Sequence, residues 1–185
     1  MNPPKKFFLS ILSDLAILLF LTLIQLSFVM TLPRPLENLN IILSFIIFIT
    51  VILNYHRGLF WAVGAGILLD IYTLEPFGVT SISLYLTVII MNYLFDHFFT
   101  NRSYYTLFVL GILGTALFNI LLILVKMMLS WFNIKSLLSQ PKFIFTSFLS
   151  DVVWQAGLNV LCLFIIFFVF NYMSRKAQSV FLVSE

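Results

Sequence analysis

RGLFWAVGAGILLDIYTLEPFG, residues 57–78, is the stretch on which the reading of this chain turns. Gly58, Ala62, Gly66 and Asp70 fall four apart, so they form one ridge of a helix, with small residues below and a carboxylate at the far end. Gly64 adds a further small residue to the same helix. An ionisable group in a hydrocarbon-spanning segment is costly, and it faces protein or a cavity rather than lipid. Pro76-Phe77-Gly78 then reverses the chain: proline sets φ, and glycine permits the positive φ of a tight reversal.

Around this stretch the composition says membrane. The chain is 62% hydrophobic and 9% charged, with a mean hydropathy of +1.10. A soluble domain carries roughly 25% charged residues, so this one cannot cover its surface with polar groups. At about 20 apolar residues per spanning helix, 185 residues hold about six helices with short loops and no separate soluble domain. The net charge of +3 reflects basic residues at membrane edges. A nucleic-acid surface would call for a clustered basic patch, so nucleic acid is not an expected partner. Cys162 stands alone in an apolar run and forms no intrachain disulfide. Lys5 and Lys6 precede an apolar run, as in a secretory leader. That run is longer than a leader's apolar core and no small-x-small site follows it, so it reads as the first membrane anchor.

The expected architecture is therefore an all-α integral membrane protein, one compact bundle forming a single domain. Its spans fall at about residues 7–30, 39–53, 59–74, 79–99, 104–129 and 143–172. The third is short, and its glycines allow it to tilt or to be partly re-entrant. Breaks fall at Thr31-Leu32-Pro33-Arg34-Pro35, at Asn54-Tyr55-His56-Arg57-Gly58 and at Asn101-Arg102, and Arg175-Lys176 ends the last span. Residues 131–142 are wetter, with Trp131, Lys135 and Lys142 suited to a headgroup layer. Lysine and arginine placement orients the chain with both termini cytoplasmic. The inner side then collects Lys5, Lys6, Arg57, Arg102, Arg175 and Lys176, against Arg34, Lys135 and Lys142 outside and Lys126 near the outer end of the fifth span.

Several spans carry polar residues at helical spacing. Ser147, Asp151, Gln155 and Asn159 are each four apart and share a face of the sixth. Ser10, Asp14 and Gln25 project close together on the first; Tyr85, Asn92 and Asp96 align on the fourth, and Gly111, Thr115 and Asn119 on the fifth. Two readings stand. One is a polar interior that binds a substrate or conducts an ion. The other is interhelical hydrogen bonding that holds the bundle, each contact worth roughly 0.6–2 kcal/mol. Asp70 and Asp151 both fall in the outer half of the bilayer, where a shared environment is expected.

Enzyme chemistry finds little support. An intramembrane serine protease needs a glycine-flanked serine and a histidine within the membrane, and His56 and His97 sit at cytoplasmic helix ends. Gly64-Ala65-Gly66 is followed by Ile67, where an intramembrane aspartyl protease needs Asp. There is no metal-ligand spacing and no phosphate loop, since the glycines lack the lysine such a loop requires. No catalytic residue, metal or cofactor is expected.

Gly66-Ile67-Leu68-Leu69-Asp70 followed by Pro76-Phe77-Gly78 resembles the hallmark of the rod shape-determining MreD family, a short glycine-rich helix with a G-L-L-x-D-like core and then Pro-Leu-Gly. Gln25 late in the first helix, Pro33-Arg34-Pro35 before the second, the length and the basic C-terminal end fit the same family. Ile67 and Phe77 replace its more usual leucines, and the sixth-span stripe is more polar than the family pattern. The resemblance implies a non-catalytic subunit of the bacterial cell-elongation complex in the cytoplasmic (inner) membrane, supporting peptidoglycan synthesis and cell shape. Its implied partners are an MreC-like protein and, through it, MreB, RodA and a penicillin-binding protein, besides membrane lipid. Gly58, Ala62, Gly64, Gly66, Asp70, Pro76 and Gly78 would then serve helix packing or partner binding.

Two other classes remain open. The substrate-binding membrane subunit of an energy-coupling vitamin transporter has a similar number of helices, and Asp70, Glu75, Asp151, Trp154 and Gln155 offer polar and aromatic groups for a pocket. A proton path built on Asp70 and Asp151 is the third.

Overall fold

The computed structural model describes residues 3–73, 76–99, 104–130 and 141–181. It forms six α-helices: α1 (Pro3–Ser27), α2 (Ile41–Phe48), α3 (Tyr55–Tyr72), α4 (Val79–Phe98), α5 (Tyr104–Ser130) and α6 (Pro141–Phe181). Among the described residues there is no strand. Glu75, Asn101, Arg102, Trp131 and Lys135 lie outside the described residues, as do the side chains of Lys5, Lys6, Ser10, Lys142, Ser147, Arg175 and Lys176.

Four stretches are long and apolar enough to cross a membrane: Leu12–Thr31, Val79–Phe98, Tyr105–Met128 and Leu149–Met173. Ile41–Leu53 is apolar but shorter, and α3 carries Arg57 and Asp70 within its 18 residues. Apolar side chains such as Phe20, Ile71, Ile82, Ile120 and Ile165 point outward. That surface suits lipid, where outward apolar groups carry no cost.

The short helix is the hub. α2 packs against α1, α3, α4, α5 and α6. Ile42, Leu43, Ser44, Ile46, Ile47 and Phe48 are all buried, as expected for a helix that is apolar on every side. α1 and α3, α3 and α4, α4 and α5, and α5 and α6 pack pairwise beside it.

Several boundaries differ from expectation for identifiable reasons. The break at residues 54–58 shrinks to Asn54, whose backbone is extended (φ −165°, ψ 138°) and whose Oδ1 accepts the His56 N–H at 3.0 Å. An asparagine N-cap starts α3 four residues early, which brings Arg57 and Gly58 into the helix. α2 ends in a wider π turn, Ile49–Leu53. α1 ends at Ser27 and is followed by a 3-10 turn, Val29–Thr31. Arg175 and Lys176 do not end α6, which continues to Phe181. Lysine and arginine are good helix formers, so the backbone runs on past them.

Candidate functional site

Asp70 sits in the last turn of α3 with 4% of its surface exposed. Its Oδ1 accepts the Thr80 N–H at 2.9 Å. Its Oδ2 accepts the N–H groups of Gly78 and Ser81, both at 3.1 Å, and the Ser81 hydroxyl at 2.5 Å. The α4 N-cap residue is Gly78 at φ 95°, which has no side chain to cap with. The carboxylate of the preceding helix takes over that task. Val79 N–H bonds Pro76 O and Ile82 N–H bonds Gly78 O, so every donor of the first turn of α4 has an acceptor. The negative charge also faces the positive end of the α4 dipole.

The helix ridge below Asp70 makes this possible. α3 buries Gly58, Trp61, Ala62, Ala65, Gly66, Leu69 and Asp70, one face at three- and four-residue spacing. A Cβ on Gly66 would strike the Ser81 backbone, at Cα and at N. Gly66 therefore admits the same residue whose amide and hydroxyl Asp70 holds. Gly58 is closed off by Thr50 of the π turn, and Gly64 faces Leu18 of α1. Ala62 is fully buried. The ridge is occupied by neighbouring parts of this chain.

The second polar cluster is built on the same logic. Gln25 of α1 donates through Nε2 to Leu39 O and accepts the Ile41 N–H, each at 2.9 Å. Asn159 of α6 accepts the Asn40 N–H at 2.8 Å and donates to Thr115 Oγ1 of α5 at 3.0 Å. Asn40 Oδ1 accepts the Leu43 N–H at 2.9 Å. The N-terminus of α2 is thus capped by its own asparagine and by residues of the first and last helices. Gln155 Oε1 accepts from Asn119 Nδ2 at 2.6 Å, and Asp151 Oδ1 accepts from Asn38 Nδ2 at 3.4 Å.

The sixth-helix stripe is therefore brought together with the segment at residues 32–40 and with α5. Asp70 and Asp151 are held by different partners, contrary to the expected shared environment. Of the groups proposed for a vitamin pocket, Asp70 and Gln155 are engaged in these bonds, and Asp151 and Trp154 line a cavity of about 350 Å³ with Arg34, Pro35, Asn38 and Ser150. Asp14 is half-buried on α1. Asn92 bonds Asp96 along the exposed end of α4, and His97 there contacts Tyr93 O. Among the described residues no group of three or more His, Cys, Asp or Glu is placed to hold a metal ion.

Sequence reasoning missed Asn38, Asn40 and Ser81. Asn40 precedes an apolar run, which is an N-cap signal. Ser81 carries no such mark, because its role depends on a helix that lies beside it. Compared with known proteins, the chain matches no family model, no curated protein and no solved structure.

Proposed function

We propose that this chain is a non-catalytic membrane subunit of the bacterial cell-elongation complex, similar to MreD, that supports peptidoglycan synthesis and shape through an MreC-like partner. The observation that supports it is the cooperation of the residues carrying the resemblance. Gly66, Asp70 and Gly78 act as one unit, a close approach, a cap and a reversal, so the motif is a folding signature rather than scattered matches. The intramembrane polar groups Gln25, Gln155 and Asn159 bond to other parts of the bundle, which favours a scaffold over a reaction centre. In this reading all six helices cross the cytoplasmic membrane of a bacterium, with both termini in the cytoplasm. α3, about 27 Å long at 1.5 Å per residue, comes close to the hydrocarbon thickness.

The test is copurification from native membranes in mild detergent, with bound proteins identified by mass spectrometry. Recovery of an MreC-like protein with RodA and a penicillin-binding protein is the expected result. A transporter scaffold with its ATPases would replace this reading with a vitamin-binding subunit, and Asp151 and Trp154 would become pocket residues.

A further inference from the structure

We infer that the outer face between α5 and α6 holds one membrane phospholipid with a zwitterionic, amine-bearing headgroup. This goes beyond the elongation-complex reading and stands without it, requiring only that α5 and α6 cross the bilayer. An apolar groove of about 610 Å³ runs between the two helices, lined by Phe108, Ile112, Val153, Gly157, Leu161 and Phe164 among others. From Val153 to Phe164 it extends ~16 Å along α6, close to half of the ~30 Å hydrocarbon core. That is the depth of one leaflet. An acyl chain fits such a length, whereas a second spanning helix would need a groove along the whole bundle.

The groove has a polar head. Trp154 lines both the groove and the 350 Å³ cavity at its end, where Arg34, Asn38, Ser150 and Asp151 also stand. Charges of both signs face one space. Arg34 uses Nε to hold Glu37 at 2.7 Å, which leaves its terminal amino groups to meet a phosphate. The carboxylate of Asp151, with Asn38 as a distant donor, suits an ammonium group. A tryptophan between the polar and apolar parts sits where the membrane interface places such rings.

Gly157 supplies the independent observation. A Cβ added there meets nothing within 4 Å, whereas each other helical glycine has a neighbouring helix or turn against it. A glycine inside a helix is a poor helix former, and among the described residues no contact explains this one. It flattens the floor of the groove where a chain would lie.

The experiment reconstitutes the full chain into vesicles of equal parts phosphatidylethanolamine and phosphatidylglycerol. The protein is then extracted in mild detergent, and lipid retained after gel filtration is counted by native mass spectrometry. Wild type is expected to keep one phosphatidylethanolamine per chain. Gly157→Trp starts from a Cβ position with open space around it and lays its ring in the groove, and is expected to lose at least tenfold in occupancy at an unchanged melting temperature. Asp151→Asn keeps the Asn38 bond but removes the charge, and is expected to lower the preference for phosphatidylethanolamine about tenfold. Equal retention by all three proteins, or no retained lipid in wild type, overturns the inference. So does a photocrosslinker at position 157 that captures a protein helix rather than lipid in native membranes.

Discussion

Asp70→Ala isolates the contact on which the α3–α4 pairing rests. Four hydrogen bonds converge on this carboxylate: three from backbone N–H groups and one from the Ser81 hydroxyl. At about 1 kcal/mol net for each bond, their loss sums to about 4 kcal/mol, and a buried helix end in an apolar setting has no water to replace them. For a chain of this size each 1 kcal/mol moves the melting temperature by about 2–4 °C, so the expected drop is on the order of 10 °C. Asp70→Asn keeps one acceptor oxygen and turns an amide NH2 toward donors, so roughly half the loss is expected. Asp14→Ala, on the half-buried face of α1, stays within about 0.5 kcal/mol of wild type. Melting curves in detergent, followed by tryptophan fluorescence and by retention of the monodisperse peak, read all three. An Asp70→Ala protein that melts within 2 °C of the Asp14→Ala protein would refute the capping argument.

Further outcomes follow from other contacts. Gly66→Ala drives a methyl into the Ser81 backbone and is expected to destabilise by about 3 kcal/mol, whereas Gly64→Ala meets only the end of the Leu18 side chain and costs less than about 1.5 kcal/mol; thermal melts of the pair give the order. Asn159→Leu removes the acceptor of the Asn40 amide and the donor to Thr115, and a loss of about 2 kcal/mol is expected in the same assay. Gly157→Ala restores helix propensity where space is open and is expected to raise stability by about 0.5–1 kcal/mol. In a Cys162→Ser background, single cysteines at Lys5 and Lys176 are expected to be labelled from the same side of the membrane, and opposite-side labelling would sink the six-span topology.

The helical ridge of residues 58–70 was legible because four-residue spacing of small residues is a property of sequence alone, and the structure buries that face. What the ridge meets was not legible. Spacing on one helix says nothing of which helix lies opposite, and the ridge's neighbours turn out to be the Thr50 turn, Leu18 and Ser81. The polar stripe on α6 was equally plain, but its partners come from α5 and from Asn38 and Asn40, more than a hundred residues earlier. Charge marks where lipid stops, whereas backbone hydrogen bonding decides where a helix stops, so α6 runs past the end expected for the span to Phe181. α3 began early because one asparagine sufficed as a boundary where a five-residue break was expected.

The placement of α2 has a consequence for how the molecule is made. Its eight residues emerge early in synthesis, yet the groups that complete its N-terminus are Gln25, already made, and Asn159, which comes more than a hundred residues later. Until α6 arrives, the Asn40 amide lacks its acceptor in a setting where unpaired backbone groups are expensive. The early helices therefore lack this contact until α6 is made. The last helix closes the hub, and a chain halted before residue 159 leaves that centre unfinished.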